Sequence, residues 1–205
     1  MRLPDPFTYP QYPGLGFETC TLIDNDPIIR DELPNGSVLE VKSASQFYSI
    51  RITYADLFPE EYRLLNSFLL EYKRTRSYIE VLLPHYEAYR VRGNANATTI
   101  ASNQKGNSIT INTSGASLQG EPKPGDLFQL TTHPKVYKIT TFNKSGTNWN
   151  LGLYPDLMIT TNGSEKPIFN GILFRTKLMS GDAQQEEITA DGMYPGQSLT
   201  LRESL

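Results

Sequence analysis

The sequence predicts a mainly β fold with one helix. One part should be an α+β domain of β-sandwich-like sheets with a helix near 59–75, and the other an inserted all-β, OB-like barrel domain. Short apolar runs that alternate with period 2 recur along much of the chain. One segment shows the 3.6-residue spacing of an amphipathic helix. Near residue 93 the composition shifts toward Ser, Thr, Asn and Gly, which marks a second unit.

Length and composition allow one or two modest hydrophobic cores. The chain has 205 residues, of which 38% are hydrophobic, and domains commonly hold about 100–200 residues. The proline-rich start does not have the apolar run of a secretion signal, and no later stretch reaches the ~18 apolar residues of a membrane helix. We therefore expect a soluble protein that is made in a cytoplasm and has no membrane partner.

The first 35 residues contain six prolines, so they predict extended, loop-rich structure with one strand at 16–23. The Pro-Asn-Gly sequence at 34–36 predicts a turn. Strands should follow at 38–41 and at 48–54. The second of these alternates strictly between apolar and other residues, so one of its faces should be buried.

The one predicted helix spans 59–75. Pro59 suits a first helical position, and Glu60 and Glu61 complement the positive end of the helix dipole. A strand at 78–83 should come next. The apolar stripe of the helix, which we expect in the core, consists of Tyr62, Leu65, Phe68, Leu69 and Tyr72.

The second unit predicts short strands joined by turns. Between residues 94 and 164, 33 of 71 residues are Ser, Thr, Asn or Gly and only eight are charged. This composition favours turns over helices. Strands are expected at 108–112, 127–130, 135–142 and 148–154, a number and spacing that suit a small OB-type barrel or a compact sandwich.

Two last strands, at 172–178 and 198–202, cannot bury their apolar faces by themselves. We expect them to complete the sheet of the first domain, which makes the β unit an insertion. The connection at 179–196 is longer than an ordinary hairpin loop and is expected to be mobile or to reach a partner. The predicted domains are residues 1–90 together with 167–205, and residues 91–166.

No catalytic signature is visible, so we expect no enzyme and no cofactor. Cys20 is the one cysteine, which excludes an internal disulfide and a cysteine-based zinc site, and His85 and His133 lie far apart. The net charge of -3 gives no overall attraction to nucleic acid. We assign no catalytic, cofactor-binding or metal-ligating residue, and the binding residues stay unknown.

Several polar features have plain structural interpretations. A glycosidase needs two carboxylates facing each other across a cleft, which neighbouring residues do not provide. The adjacent carboxylates at Asp24/Asp26, Asp31/Glu32, Glu60/Glu61 and Glu186/Glu187 are therefore interpreted as turns, a helix start and a solvated loop. Five N-x-[ST] triplets, at Asn35, Asn96, Asn112, Asn143 and Asn162, are interpreted as turn chemistry.

The inserted unit makes the best case for a ligand site. Its aromatic and basic residues could line a face for a sugar or for single-stranded nucleic acid. Alternation, however, puts Tyr137 and Lys138 on opposite faces, and aromatic residues in so small a barrel are mostly core. The residues concerned are Lys135, Tyr137, Lys138, Phe142, Lys144, Trp149 and Tyr154.

Three stretches of the sequence resemble the distal tail proteins of phages with long, non-contractile tails. MRLPDPFTYPQYPGLGFETCTLIDNDPIIRDELPNG and YADLFPEEYRLLNSFLLEYKRTRSYIEVLLP resemble the hub domain of these proteins. GDLFQLTTHPKVYKIT and LYPDLMITTNGSEKP are similar to an OB-like insert of tail-tip proteins. The ending, from FNGILFRTKLMSGD through SLTLRESL, also resembles the family. The resemblance extends over essentially the whole chain.

The resemblance implies a structural protein of the virion that is assembled in the host cytoplasm. Its hub domain would form a homo-hexameric ring between the tail tube protein and the baseplate hub or tail-tip protein, although the free chain could be monomeric. The outward-pointing insert could support side tail fibres as a collar. The alternative function is a carbohydrate-binding module that aids adsorption to the host, and no membrane or specific nucleic-acid partner is implied.

Overall fold

A computed structural model describes residues 1–42, 45–84, 90–179 and 187–205. The chain divides into two compact units: Met1–Glu80 with Thr176–Ser204, and Val81–Arg175 with Leu205. Strands dominate both units, and within the described ranges there is one α-helix. The prediction of a mainly β chain with one helix is confirmed.

The helix bounds agree with the sequence, and most predicted strands agree to within three residues at either end. The helix is α1 (Pro59–Thr75). In chain order the strands are β1 (Phe17–Asn25), β2 (Ile28–Glu32), β3 (Val38–Lys42), β4 (Phe47–Tyr54), β5 (Ile79–Leu82), β6 (Arg92–Gly93), β7 (Thr99–Ile100), β8 (Gly106–Asn112), β9 (Leu118–Gln119), β10 (Leu127–Leu130), β11 (His133–Ser145), β12 (Asn148–Leu157), β13 (Pro167–Ile168), β14 (Leu173–Leu178) and β15 (Ser198–Glu203).

One sheet organises the first unit, with strand order β1-β4-β15-β14-β5. Strand β4 pairs antiparallel with β1 on one side and with β15 on the other, so that Ile50 faces Leu22 and Leu201. The alternation predicted for β4 is confirmed, because Tyr48, Ile50, Ile52 and Tyr54 are all fully buried on one face. The two ends of the chain thus meet in one sheet.

The prediction for the first 35 residues is wrong at one place. Residues 28–32 form strand β2, which pairs antiparallel with β3. The sequence IIRDE follows a proline and lacks period-2 alternation, so it carries no sign of a half-buried strand. The strand forms because the turn at 34–36 brings it against β3.

Helix α1 buries four of the five residues of its predicted stripe. Tyr62, Leu65, Leu69 and Tyr72 are buried, whereas Phe68 is only half-buried. The hydroxyl of Tyr72 accepts a hydrogen bond from the backbone N–H of Leu178 in β14 at 3.1 Å, which ties the helix to the sheet. The prediction that Phe68 lies in the core is therefore wrong.

The start of α1 is held by a buried carboxylate. Glu61 accepts hydrogen bonds from the backbone N–H groups of Phe58 at 3.1 Å and of Gly14 at 2.9 Å. A Cβ atom at position 14 would overlap this carboxylate, so a larger residue there would displace it from these hydrogen bonds. The carboxylate satisfies an N–H group that the helix leaves unpaired, and it also fixes the N-terminal segment.

The described part of the 179–196 connection is anchored to the first unit. Tyr194 exchanges backbone hydrogen bonds with Leu57 at 2.8 and 3.0 Å, and its ring stacks on Tyr62 with 3.9 Å between centroids. Residues 180–186 lie outside the described residues. The expectation of a mobile or reaching arm therefore does not hold for the end nearest β15.

The second unit has a six-stranded sheet with order β13-β10-β11-β12-β8-β7, and a short β6–β9 pair. Its longest pairing joins β11 to β12 across a turn at Gly146, which has φ of +60°. The buried cluster in this unit consists of Val91, Ile100, Ile109, Ile111, Phe128, Leu130, Tyr137, Ile139, Trp149, Leu151, Leu153 and Leu157. The apolar residues of neighbouring strands thus meet in one core.

Two leucines of α1 give a matched test of its packing. Leu65 is 0% exposed and Leu70 is 55% exposed. We expect Leu65→Ala to lower the free energy of unfolding by about 2–5 kcal/mol through lost burial and a residual cavity. Leu70→Ala should change it by less than about 0.5 kcal/mol, since exposed substitutions cost little. Urea unfolding of both variants measures the difference, and equal effects would contradict the assigned helix face.

Candidate functional site

Strands β2 and β3 form a two-stranded ribbon that is separate from the main sheet, here named the hairpin arm (residues 28–42). The arm continues the β1–β4 hairpin, because β1 leads into β2 and β3 leads toward β4. Pro27 lies at the junction and has no N–H to donate, which suits an interruption of the ladder. All five residues of β3 and four of the five in β2 are exposed. The arm therefore projects from the first unit.

The tip of the arm is a hydrogen-bonded turn. The N–H of Leu33 donates to the carbonyl of Ser37 at 2.9 Å, and that of Gly36 donates to the carbonyl of Leu33 at 2.8 Å. The side-chain oxygen of Asn35 accepts from the Ser37 N–H at 3.0 Å. Gly36 has φ of +79°, a value that favours glycine. The turn predicted at 34–36 is confirmed.

The two faces of the arm differ in character. Residues directly opposite each other in the pairing share a face, and Ile29 lies opposite Val41 while Asp31 lies opposite Leu39. We name this the apolar face of the arm. Its exposed fractions are 62% for Ile29, 52% for Leu39 and 63% for Val41. Three aliphatic side chains thus stand together in solvent.

The opposite face of the arm is largely charged. Arg30 and Glu40 lie opposite each other and form an ion pair with 2.7 Å between Nε and Oε1. Lys42 forms a second pair with Asp26 at 3.3 Å. Both pairs are exposed, so each stabilises the ribbon by at most about 1 kcal/mol. Their main effect is to keep this face soluble.

The arm lacks the burial that normally stabilises a ribbon. An isolated two-stranded hairpin is marginally stable in water, and it gains stability when an apolar face packs against something. Contiguous exposed apolar side chains bordered by polar residues are typical of protein interaction sites. The apolar face of the arm is therefore the strongest candidate for a functional surface in the first unit.

A groove of about 610 Å³ lies at the start of α1. The Glu61 carboxylate beside it is already used in the two backbone hydrogen bonds described above. The exposed ring of Phe58 makes part of its wall apolar. Its lining residues are Gln11, Tyr12, Pro13, Phe58, Pro59, Glu60, Glu61 and Arg63. The groove could accommodate a ligand or a partner segment, but its lining residues do not form a catalytic arrangement.

The aromatic and basic face considered for the second unit is not formed. Tyr137 and Trp149 are buried in the core, and Phe142 and Phe169 pack edge-on against Trp149. Lys135 is fully buried. Phe142, Tyr154 and Lys138 are half-buried, while Lys144 is exposed and forms an ion pair with Glu121 at 2.8 Å. The expectation that the aromatic residues of this unit are mostly core is confirmed for Tyr137 and Trp149.

His133 belongs to a hydrogen-bond network at the start of β11. Its Nδ1 accepts from the Lys135 N–H at 3.1 Å, so the proton of the neutral ring lies on Nε2, which is 2.9 Å from the Tyr137 hydroxyl. That hydroxyl also accepts from the Met158 N–H at 3.1 Å. Burial lowers the pKa of His133, the Glu165 carboxylate acts to raise it, and the Lys135 ammonium also lowers it. These hydrogen bonds hold His133 in a fixed orientation at the start of β11.

Glu165 organises the loop next to this network. Its carboxylate accepts from the N–H groups of Asn162 and Gly163, both at 2.8 Å. Burial acts to raise the pKa of Glu165, but these backbone donors and the nearby His133 lower it below its ordinary value. The carboxylate therefore stays ionised as a loop-fixing group.

The remaining candidate residues do not converge on one place. Burial raises the pKa of the Cys20 thiol to about 11, so little reactive thiolate exists at neutral pH. Asp24 accepts a hydrogen bond from Gln46, whereas Asp31 and Glu32 lie exposed on the arm. His85 and Glu186 lie outside the described residues. Within the described ranges, no group of three His, Cys, Asp or Glu could hold a metal ion.

Three of the five N-x-[ST] triplets show the turn chemistry expected of them. The side-chain oxygens of Asn35, Asn112 and Asn162 each accept from the backbone N–H two residues further on, at 2.8–3.0 Å. This is the Asx-turn geometry that stabilises a reversal of the chain.

Comparison with known proteins shows the family to which the chain belongs. Models of the distal tail protein pb9 match three consecutive regions: the N-terminal part of the A domain at 3–86, the B domain at 87–172 and the C-terminal part of the A domain at 174–205. The distal tail protein pb9 of Escherichia phage T5 is 63% identical over 205 residues, covering 100% of both chains. The chain belongs to the pb9 distal tail protein family. The resemblance noted in the sequence is confirmed, and the chain is a structural protein of a phage tail.

The family matches assign each of these features to the A domain or to the B domain. The hairpin arm and the groove lie in the region matched by the N-terminal part of the A domain, and the His133 network lies in the B domain. In the described part of the chain, no helix is both long and apolar enough to cross a membrane. The hairpin arm and the groove are surface features, and neither has a structural role within its own unit described above.

The His133 network predicts a pH dependence of stability. Because the pKa of His133 is lowered below 6.5 in the folded chain, its contribution is complete above the unfolded pKa and is lost as the pH falls from about 6.5 toward the lower folded value. We expect the unfolding midpoint of the wild-type chain to fall between about pH 7 and about pH 5. The fall should be smaller in His133→Gln. Thermal unfolding measures both, and identical pH profiles would contradict the role assigned to His133.

Proposed function

We propose that the chain forms a homo-hexameric ring at the distal end of the tail tube and joins the tube protein to the baseplate hub or tail-tip proteins. The single observation that carries the proposal is the exposed apolar face of the hairpin arm. Membership in the distal tail protein family supports the location. The protein acts as an adaptor through its surfaces and has no catalytic role.

The geometry of a closed ring explains why such an arm is useful. Neighbours in a cyclic ring meet head to tail, so each subunit presents two different patches. A projecting ribbon can reach across the boundary to the next subunit without altering either core. Burying Ile29, Leu39 and Val41 there stabilises the ring by about 25 cal/mol for each Å² of apolar surface removed from water.

We further propose that the ring-forming hub domain consists of residues 1–90 and 167–205, with residues 91–166 inserted as an OB-fold-like barrel. Two observations support this division. The chain forms two compact units, the first of which is discontinuous. The matching family models divide the A domain into two parts, and the B domain lies between them in the sequence. The inserted domain would face outward and provide a collar for side tail fibres.

A carbohydrate-binding role is not favoured by the structure. Sugar and base recognition commonly uses exposed aromatic rings as stacking platforms. Trp149 and Tyr137 are buried instead. We therefore propose the adaptor function alone.

Substitution on the arm tests the adaptor function. Ile29→Thr/Leu39→Thr/Val41→Thr removes apolar surface but uses a residue that is compatible with strands. In a phage that lacks its own copy of this protein, the variant should lower the yield of infectious particles by about tenfold or more, since each 1.4 kcal/mol of lost contact is about tenfold in association. Electron microscopy should show tails without a completed distal end.

The chain offers a matched control on the same ribbon. Val38 is 57% exposed but lies opposite Glu32 on the charged face of the arm. Val38→Thr should support infection like the wild type, whereas Val41→Thr should reduce it. The free variants should unfold like the wild type, because the substituted groups are exposed. Normal tails with the triple variant would argue against the arm as an assembly surface.

A deletion tests the division into domains. Residues 91–166 can be replaced by a short Gly/Ser linker, since insertions are tolerated where entry and exit points lie close together. The remaining chain should unfold cooperatively and should keep strand β15 protected from amide exchange. A variant without a cooperative transition would show that the inserted residues are part of the same folding unit.

A further inference from the structure

The main sheet of the first unit has a second face, opposite its core, that is open to solvent. The register of β1, β4, β15 and β14 places alternate residues on it, and we name it the open sheet face. Its residues are exposed or half-buried. Among its residues are Thr19, Thr21, Ser49, Arg51, Thr53, Lys177, Ser198, Thr200 and Arg202.

Cations lie close together on this face. Arg202 lies directly opposite Lys177 on one side and Ser49 on the other, and Arg51 lies opposite Thr200, diagonal to Arg202. Like charges directly opposite each other destabilise a sheet. The arrangement therefore lowers the stability of the unit unless something else compensates for it.

The two arginines remain available to a ligand. Arg51 is exposed, and its side chain makes no hydrogen bond or ion pair with any of the described residues. The guanidinium of Arg202 lies 3.7 Å from the centre of the Phe47 ring, a contact that orients it without neutralising it. Lys177 differs, because its ammonium donates to the carbonyl of Arg76 at 2.6 Å.

Carboxylates are sparse on this face although the chain as a whole has a net charge of -3. Asp24 and Glu203 lie on the other face, where Glu203 accepts from the N–H of Tyr48 at 3.1 Å. Glu18 lies at the β1 bulge beside Thr53, at the end of the sheet away from Arg202. Among the described residues paired in β1, β4, β15 and β14, none on the open sheet face is acidic. The face is thus locally positive on an acidic protein.

We propose that the open sheet face binds the phosphate backbone of a nucleic acid without reading its sequence, and that Arg51 and Arg202 are its principal contacts. Guanidinium groups and Ser or Thr hydroxyls are groups that proteins commonly use to contact phosphates. A protein partner would instead need a desolvated apolar centre. On this face Ile23 is 38% exposed and Phe47 is covered by Arg202, which leaves little apolar surface for such a centre.

The spacing of the cations fits a phosphate backbone. Diagonal neighbours on adjacent strands have backbone positions about 7–8 Å apart, and two long arginine side chains at that separation can each reach a phosphate of one DNA strand, where the charges follow at an axial rise of ~3.4 Å. Two or three phosphate contacts give weak binding that falls steeply with salt. Net charge would not reveal this site, because acidic residues elsewhere in the chain mask it.

Titration of the purified full-length chain with mixed-sequence duplex DNA tests the proposal. Binding should appear at low salt, and the logarithm of the association constant should fall with log salt with a slope of about −2 to −3. Arg51→Gln/Arg202→Gln should weaken binding by about tenfold or more and reduce the slope by about 2. Arg51→Lys/Arg202→Lys keeps the charge and should bind within about threefold of the wild type.

A matched control removes the same charge elsewhere. Arg63→Gln/Arg92→Gln changes two exposed arginines outside this face and should leave binding and slope unchanged. Equal loss in both glutamine variants would overturn the proposal, because it would show an effect of net charge only. No binding of DNA at low salt would also overturn it. So would equally effective competition by polyglutamate at the same charge concentration, which would instead favour an acidic protein partner.

Discussion

The pairing of β4 with β15 is the contact on which the rest of the first unit depends. Thr53 and Ser198 meet there across 145 residues of sequence, and their hydroxyls lie 3.1 Å apart. The pairing buries Ile50 and Ile52 against Leu201 and Leu199 and leaves the arginines on the other face. In the same sheet β14 lies next to β5. The residues between these two strands in the sequence can therefore form a separate unit without interrupting the sheet. Contacts of such high sequence separation form late and slowly in folding.

The hairpin arm and the open sheet face are two consequences of this arrangement. Strand β4 is fixed on both sides within the sheet, so the hairpin that it shares with β1 can extend beyond the sheet as the arm. The apolar side chains of the arm add little to the stability of the free subunit, because they are exposed. We infer that the arm is kept because its apolar face is buried in the assembled tail, which agrees with membership in a family of tail proteins.

The sequence predicted those elements whose own residues determine them. Helix α1 was predicted to the residue, because Pro59 begins it and its apolar spacing is regular. Strand β4 was predicted because alternation is a local property. Strand β2 was missed, since its pairing with β3 and not its composition makes it a strand. Phe68 was placed in the core because spacing alone cannot show where the packed face of a helix ends.

The candidate surfaces were harder to predict than the fold. The open sheet face could not be anticipated, because it depends on the register between strands that are distant in the sequence. The buried Trp149 and Lys135 show the reverse case, in which residue types typical of binding sites lie inside a small barrel-like unit. In both cases the deciding information is which face of a strand is covered, and that is a property of the tertiary fold.

A reconstruction of the intact tail by electron cryomicroscopy, at a resolution that shows side chains, tests the central claim most directly. The account predicts a closed ring of this chain at the distal end of the tail tube, with Ile29, Leu39 and Val41 of each subunit buried against its neighbour. A distal end that lacks the chain, or a ring in which these three side chains point into solvent, would contradict it.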